Sequence, residues 1–288
     1  MNTCTIKAYA KINLGLDVLG RLPNGYHQVK MVMQTVGIWD ELALEKAAAG
    51  IVIDTDSREL PTDENNIVYK AAKLMQEEFG LSGGIRLSLQ KNIPVAAGMA
   101  GGSADAAAVM KAMNMLYELE LPEERLRELG VRIGADVPYC IMGGTALAEG
   151  IGERLTGLPN APQCVLVVAK PDVNVSTGDI YTALDALAEY PHPDIDGMVA
   201  AIRAGDLTGV TSRLGNVLEP VTAKRCPPVT EIRRMMDSHG ALGSLMSGSG
   251  PTVFGIFDKR AKAEKLAGLL RETEALCVKQ CFVTEFVQ

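Results

Sequence analysis

Three shortages narrow what this chain can be. Cysteines are few and scattered, six in 288 residues at Cys4, Cys140, Cys164, Cys226, Cys277 and Cys281, with no close C-x-x-C pair. That spacing argues against a metal cluster and reads as reduced thiols in apolar surroundings. Long hydrophobic runs are missing as well. No stretch approaches the roughly 18 apolar residues of a membrane span, and the N-terminal segment carries Lys7 and Lys11 inside an alternating pattern rather than an apolar signal core. A cytoplasmic protein with no membrane span or export signal is expected. Basic charge is short too, the net charge being −7. This favours solubility and argues against a nucleic-acid binder, while leaving room for a local basic pocket.

What is present is an ordinary globular composition, 47% apolar and 22% charged. The length suggests two domains, each large enough for its own core. There is no internal repeat or low-complexity tract. Strand signals come first, over Thr3 to Ala10, Ile12 to Leu19, Val29 to Trp39 and Glu41 to Glu45, with Leu22-Pro23-Asn24-Gly25 as a turn. Helical spacing predicts a helix from Ile67 to Phe79, capped by Asn65-Asn66 and stopped by Gly80. Further helices are expected over Ala106 to Leu116 and Glu123 to Ile133, with a strand at Ile85 to Leu89 between the first two. Gly134 to Pro138 reads as a turn before a strand from Gly143 to Glu149.

The Pro- and Gly-rich segment Gly157 to Pro162 marks a linker, giving domains 1–158 and 159–288. Beyond it come a strand at Cys164 to Ala169, helices at Thr177 to Leu187, Asp194 to Ala204 and Val229 to His239, and a regular ending. That ending runs strand Ala241 to Met246, turn, strand Thr252 to Phe257, helix Ala261 to Arg271, strand Leu276 to Glu285. The order is a split βαβ pattern with helices on one face of the sheet, an α+β arrangement.

Four constellations carry chemistry. The first is Pro94-Val95-Ala96-Ala97-Gly98-Met99-Ala100-Gly101-Gly102-Ser103-Ala104-Asp105, a small-residue loop opening a buried helix, with Ser103 and Asp105 as candidate caps. Such a turn aims backbone N–H groups and the positive end of the helix dipole at one spot, as a phosphate requires. A close-packed turn is the other reading. Neither G-x-x-x-x-G-K-[ST] nor G-x-G-x-x-G fits, which disfavours a P-loop ATPase and a dinucleotide-binding dehydrogenase. The second is Lys11 with Asn13, two apart on a strand and so on one face. The third is Asp136, a carboxylate among apolar neighbours. The fourth is Ser244 to Thr252, a second small-residue turn, which on its own reads as a tight hairpin with a bulge.

Together these motifs resemble the GHMP kinase superfamily of small-molecule kinases. Pro94 to Ser103 after a strand, Ala10-Lys11-Ile12-Asn13-Leu14-Gly15-Leu16 near the start, and Ser247-Gly248-Ser249-Gly250-Pro251-Thr252 near the end occur in that family's order. The resemblance implies a two-domain GHMP kinase architecture, with an N-terminal domain of the ribosomal protein S5 domain 2 type and a C-terminal ferredoxin-like domain, the site lying in a cleft. It implies ATP as phosphoryl donor with Mg²⁺, and an alcohol as acceptor. Asp136 would be the catalytic base and Lys11 its cationic neighbour. The backbone of Pro94, Ala96, Ala97, Gly98, Met99, Ala100, Gly101, Gly102 and Ser103 would cradle the ATP phosphates. Asn65 and Asn66 fall where the family holds adenine, although simple capping explains them as well.

A closer resemblance, in Gly25-Tyr26-His27 and Gly134-Ala135-Asp136-Val137-Pro138, implies a small-molecule substrate with a cytidine diphosphate moiety. Tyr26 and Tyr181 would sandwich the cytosine and His27 would read its edge, with Asn13 at the far end of the substrate and Thr177 as a further contact. Only 5% of the residues are aromatic, which gives weight to two of them at these places. His192 and His239 read as surface or capping residues. Ala96, Ala97 and Ala100 depart from the family pattern, where glycine is common. No acidic residue stands out as a Mg²⁺ ligand. Two alternatives are disfavoured: another kinase of the superfamily, such as homoserine or mevalonate kinase, because neither substrate has a base to stack, and a non-catalytic nucleotide-binding or regulatory module, because it has no need of both Lys11 and Asp136. The assembly is expected to be a monomer or a homodimer.

Overall fold

Two long strands begin the chain, β1 (Thr3–Arg21) and β2 (His27–Ala47). The structure, a computed structural model, describes residues 2–288. The sequence pattern predicts breaks near Lys11 and Asp40, and there are none. From Ala10 to Val18 every residue of β1 is buried. Side chains on both faces are thus covered, so apolar and polar residues no longer alternate in a way that marks one continuous strand. The turn between the strands is as expected, with the Leu22 N–H donating to the Tyr26 carbonyl at 2.7 Å and the Gly25 N–H to the Leu22 carbonyl at 3.0 Å.

The chain divides into two compact units, neither of them a single segment. One takes the residues up to Ala10, Ile38–Val95 and Ala100–Gly143; the other takes Lys11–Gly37, Ala96–Met99 and Gly144–Gln288. Strands β1 and β2 contribute to both.

The first unit adds β3 (Ile51–Thr55), α1 (Ile67–Phe79), β4 (Gly84–Gln90), α2 (Gly101–Leu116), α3 (Glu123–Val131) and α4 (Val137–Met142). Its sheet runs β3-β4-β2-β1, with β4 antiparallel to β2 and β3 parallel to β4. Helix α1 starts and stops as its sequence dictates. Asn66 accepts the Val68 N–H at 3.0 Å, and Gly80 closes the helix in the left-handed conformation, φ 59°. Helix α2 is buried along most of its length, packed by α1, α3 and α4. It begins at Gly101, inside the small-residue loop and five residues before the composition suggests. Its N-cap position is Ala100, which offers no side-chain cap, so neither Ser103 nor Asp105 caps it. Gly134 to Asp136 do form a turn, but Val137 and Pro138 already belong to α4, where proline in the first turn loses no intrahelical hydrogen bond.

The second unit adds β5 (Thr145–Gly150), β6 (Arg154–Gly157), β7 (Val165–Pro171), α5 (Thr177–Asp185), α6 (Ile195–Arg203), α7 (Leu207–Thr211), β8 (Gly215–Asn216), α8 (Glu219–Arg225), α9 (Pro228–Ser238), β9 (Gly243–Met246), β10 (Val253–Phe257), α10 (Arg260–Glu272) and β11 (Val278–Glu285). Here β5 pairs with the first part of β2, β6 pairs with β5, and β8 pairs with β1 in parallel, Leu16 opposite Asn216. A separate antiparallel sheet has the order β11-β7-β10-β9. Relabelled by chain order that is 4-1-3-2, the ferredoxin-like order expected from the split βαβ pattern. Helices α9 and α10 pack on it. All five residues of β10 are buried, Phe254 and Phe257 completely. Each such ring contributes about 1.5–3 kcal/mol by burial.

Short elements escape the sequence reading. Strands β3, β6 and β8 and helices α7 and α8 have two to seven residues, too few to display a period. Among the described residues, no helix is long and apolar enough to cross a membrane.

Candidate active site

In the second unit, three separate stretches of sequence meet through backbone contacts. The Lys11 N–H donates to the Met99 carbonyl at 3.1 Å, which ties β1 to the small-residue loop. Ser247, completely buried, donates its hydroxyl to the Gly98 carbonyl at 3.0 Å and accepts the Asn13 N–H at 3.3 Å. Gly98 has φ 71°, and a Cβ there would lie 2.1 Å from the Ser247 carbonyl. A Cβ on Gly248 would lie 2.8 Å from the Gly98 carbonyl. Glycine is needed at both places because the two turns pack backbone against backbone.

The second turn is itself pinned. Asn216 donates to the carbonyls of Met246 at 2.9 Å and Gly248 at 2.8 Å, and its own oxygen accepts the Leu218 N–H. Thr222 donates to the Ser249 carbonyl at 3.0 Å, and Glu219 accepts the Met246 N–H at 2.8 Å. Sequence reasoning missed Asn216, Thr222 and Glu219, because an isolated Asn, Thr or Glu carries no signal of which backbone it serves. The turn is therefore more than a hairpin connection.

Beside it lies the polar pair of β1. Lys11 and Asn13 are both buried, and the Lys11 Nζ donates to the Asn13 Oδ1 at 2.8 Å. The Asn13 amide nitrogen points at the Met31 Sδ, 3.2 Å away. The expected common face is thus real. A buried polar group is costly without a hydrogen-bond partner, and Asn13 supplies one for Lys11.

The loop alanines differ in role. Ala96 and Ala100 both have left-handed backbone, φ 50° and 55°. They occupy backbone positions that suit glycine. Ala97 and Met99 are buried, and so is Pro94. From Met99 only the backbone is offered to the loop.

The first unit holds the start of α2. Gly102 is exposed, and the Ser103 hydroxyl lies about 4.0 Å from where a Cβ on Gly134 would stand, two residues before Asp136. Asp136 occupies the N-cap position of α4 but makes no side-chain cap. Its carboxylate is therefore not spent on holding the helix start.

Just inside α2 is a cluster the sequence does not reveal. Lys91 Nζ binds Asp40 and also Asp105 Oδ2, the latter at 2.7 Å, and all three side chains are almost fully buried. Asp40 further accepts the N–H groups of Asn92 at 2.6 Å and Ile93 at 2.8 Å, while Asp105 Oδ1 is buried without a hydrogen-bond partner. Burial, and then repulsion from Asp40, push the Asp105 carboxyl well above the usual carboxylate range, against the pull of Lys91. Burial opposes the charge on Lys91, but the two carboxylates outweigh it and raise that ammonium. The cluster ties β2, the residues entering the phosphate-type loop, and α2 together. Asp40 and Asp105 lie 51 and 14 residues from Lys91 along the chain, and nothing short-range relates them.

Of the residues expected to hold a base, His27 and Tyr181 meet in the second unit. The His27 ring packs against Tyr181, centroids 4.7 Å apart at 34°. Its Nε2 lies 2.8 Å from Asp185 Oδ1. Tyr26, next along the turn, is 57% exposed. Thr177 opens α5, and its hydroxyl meets that of Ser249 at 2.8 Å. The two remaining histidines divide. His239 ends α9 and bonds the Met235 carbonyl at 2.8 Å, a capping role, whereas His192 reaches the buried Asp17 at 2.7 Å and so does more than sit at the surface.

Asn65 and Asn66 use their side chains locally. Asn65 donates to Asp63 Oδ1 at 3.0 Å; Asn66 donates to the Pro61 carbonyl at 2.6 Å besides capping α1. Among the described residues no group of three or more His, Cys, Asp or Glu is arranged to hold a metal ion. The cysteines are free thiols, and burial raises Cys164, with help from Glu285, to about 12.

A glycine-lined loop leading into a buried helix, a buried Lys–Asn pair, and a second turn packed backbone on backbone against that loop define a small-molecule kinase of one class. Residues 66–144 match the GHMP kinases N terminal domain and residues 198–273 the GHMP kinases C terminal family. A protein of Lachnospira eligens named 4-diphosphocytidyl-2-C-methyl-D-erythritol kinase is 53% identical over 99% of both chains. One of the same name from Lachnoclostridium phytofermentans is 49% identical, covering 100% of this chain and 99% of its own. A crystal structure of 4-(cytidine 5'-diphospho)-2C-methyl-D-erythritol kinase superposes with a TM-score of 0.83 at 33% identity, covering 99% of this chain and 100% of that one. The homoserine kinase of Cytophaga hutchinsonii, at 22% identity and TM-score 0.80 over 100% of this chain and 95% of its own, shares the fold. This chain belongs to the GHMP kinases and, among them, to the family of the 4-diphosphocytidyl-2-C-methyl-D-erythritol kinases.

Proposed function

We propose that this chain transfers the γ-phosphoryl group of ATP to the 2-hydroxyl of 4-diphosphocytidyl-2-C-methyl-D-erythritol, a step of non-mevalonate isoprenoid synthesis. The observation that carries the reading is the pairing of full-length likeness to kinases of that name with the Tyr26, His27 and Tyr181 group, which suits a cytosine. Phosphoryl transfer needs a positioned hydroxyl, an acceptor for its proton, and compensation of charge on the moving group.

Asp136 accepts the hydroxyl proton. Lys11, oriented by Asn13, supplies positive charge toward the γ-phosphate. The backbone N–H groups from Ala96 to Ser103 and the start of α2 cradle the nucleotide phosphates, while Asn65 and Asn66 border the adenine. Tyr26 and Tyr181 stack on the cytosine, His27 reads its edge, Asn13 lies toward the erythritol end, and Thr177 faces the substrate. In domain terms, residues 1–158 form the ATP-binding part and 159–288 the ferredoxin-like part. The protein works in the cytoplasm as a monomer or homodimer.

Mg²⁺ fits this donor set only as a partner of the nucleotide. The described residues contain no acidic cluster to hold it, and the ion needs few protein ligands when phosphate oxygens and water complete its shell. Bound there, it neutralises charge on the β- and γ-phosphates.

The test is transfer of labelled γ-phosphate from ATP to a panel of the cytidyl substrate, homoserine and mevalonate. Transfer to the first alone is expected. Transfer to homoserine or mevalonate with none to the cytidyl compound overturns the reading.

A further inference from the structure

We propose that Asp185 is a positioning residue that locks the tautomer of His27, making that ring a hydrogen-bond acceptor that selects cytosine over uracil. The inference rests on the reading that His27 meets the edge of the base, and it adds the polarity of that contact and the residue that sets it.

Helix α5 contributes two contacts to one imidazole. Tyr181 and Asp185 are four residues apart, one helical turn, and so project from the same face. Tyr181 lies against the His27 ring at 4.7 Å, and Asp185 Oδ1 lies 2.8 Å from its Nε2. The His27 side chain is only 11% exposed, so few other partners reach it. Arg21 approaches the second oxygen of Asp185 at 3.7 Å.

Hydrogen-bond bookkeeping then fixes the ring. A carboxylate has no proton to give, so the proton in the contact sits on Nε2. A neutral imidazole carries one N–H, which leaves Nδ1 with a lone pair. Cytosine presents an amino group, a donor, at the position where uracil presents a carbonyl, an acceptor. An acceptor at Nδ1 is satisfied by the first and opposed by the second. Without Asp185 the ring is free to place its proton on Nδ1, which reverses the preference.

One such hydrogen bond is worth roughly tenfold to a hundredfold in discrimination. The experiment compares kcat/KM for the cytidyl substrate and its uridyl analogue in the wild type, Asp185→Asn, Asp185→Ala, Asp185→Glu and His27→Phe. Nitrogen-15 NMR of the full chain, at about pH 8 where an ordinary histidine is neutral, reads which ring nitrogen of His27 is protonated. We expect a bare Nδ1 in the wild type. The cytidyl-to-uridyl ratio should fall at least about tenfold in Asp185→Ala, through KM rather than kcat, and less in Asp185→Asn, whose amide can either accept or donate at Nε2, while Asp185→Glu should keep part of the ratio. A proton on Nδ1 in the wild type overturns the proposal. So does an unchanged ratio in both Asp185→Asn and Asp185→Ala while His27→Phe abolishes discrimination, a pattern that leaves the base reading standing. Full discrimination in His27→Phe instead removes the base reading itself, and this inference with it. Folding of each variant is checked by its thermal midpoint, and the wild-type NMR result decides even if Asp185→Ala does not fold.

Discussion

Ser247 and Gly98 are 149 residues apart, yet the hydroxyl of one donates to the carbonyl of the other at 3.0 Å while accepting the Asn13 N–H. One buried side chain thus joins the three stretches whose motifs mark the family. Ser247→Ala leaves the Gly98 carbonyl and the Asn13 amide short of a partner, at a cost of about 1–3 kcal/mol. We expect a lower thermal midpoint and a raised KM for ATP with a smaller change in kcat. Gly98→Ala should be far worse, since its Cβ would stand 2.1 Å from the Ser247 carbonyl at φ 71°. Wild-type ATP affinity in Gly98→Ala would mean that this backbone contact is not needed for nucleotide binding.

Asp136→Asn tests the proposed role of this carboxylate as the base, and it removes no capping bond from α4. The variant is expected to bind nucleotide normally and to lose roughly a hundredfold to ten-thousandfold in kcat, the usual worth of a positioned base. Turnover close to wild type removes Asp136 from that role.

How much of this is legible in the sequence depends on the range of the signal. The long helix α1 is readable to the residue, because its N-cap Asn66, its spacing and its Gly80 stop all lie within one segment. The site motifs are readable as motifs, and Lys11 and Asn13 share a face as the strand period requires. Strand β1 reads as two because burial on both faces removes the alternation. Composition misplaces the start of α2 because Ala100 takes a left-handed conformation that alanine rarely adopts, and Asp105 looks like a cap because nothing local shows that Lys91 and Asp40 claim it. Asn216 and Asp185 are invisible for the same reason. Their partners are fixed by tertiary packing alone.

The left-handed alanines make a testable exception to the rule that glycine weakens structure. Ala96 and Ala100, at φ 50° and 55°, each carry the roughly 1–2 kcal/mol penalty of that conformation. Glycine removes it but adds about 0.5–1 kcal/mol of unfolded-chain entropy. Ala96→Gly and Ala100→Gly should therefore be neutral to slightly stabilising by urea unfolding. A loss of more than about 1 kcal/mol in either, the size of an ordinary Gly penalty, would show that the methyl group itself packs usefully.

The buried pair of carboxylates on Lys91 predicts how stability responds to pH. Asp105 has its folded pKa raised, by burial first and by Asp40 second. The folded protein then keeps this proton after the unfolded chain, with its carboxyl near pH 4, has released it. Stability from this group is present in full below that pH and is lost as pH rises toward the raised value. Asp105→Asn carries no such proton, yet its side-chain oxygen still accepts from Lys91. Its stability should match the wild type in acid and exceed it increasingly as pH rises. Urea midpoints of both proteins, measured from about pH 4, where an ordinary carboxyl titrates, to about pH 8, read the difference directly. If the two curves stay parallel across that range, Asp105 is ionised in the folded protein and the cluster holds two full negative charges against one lysine.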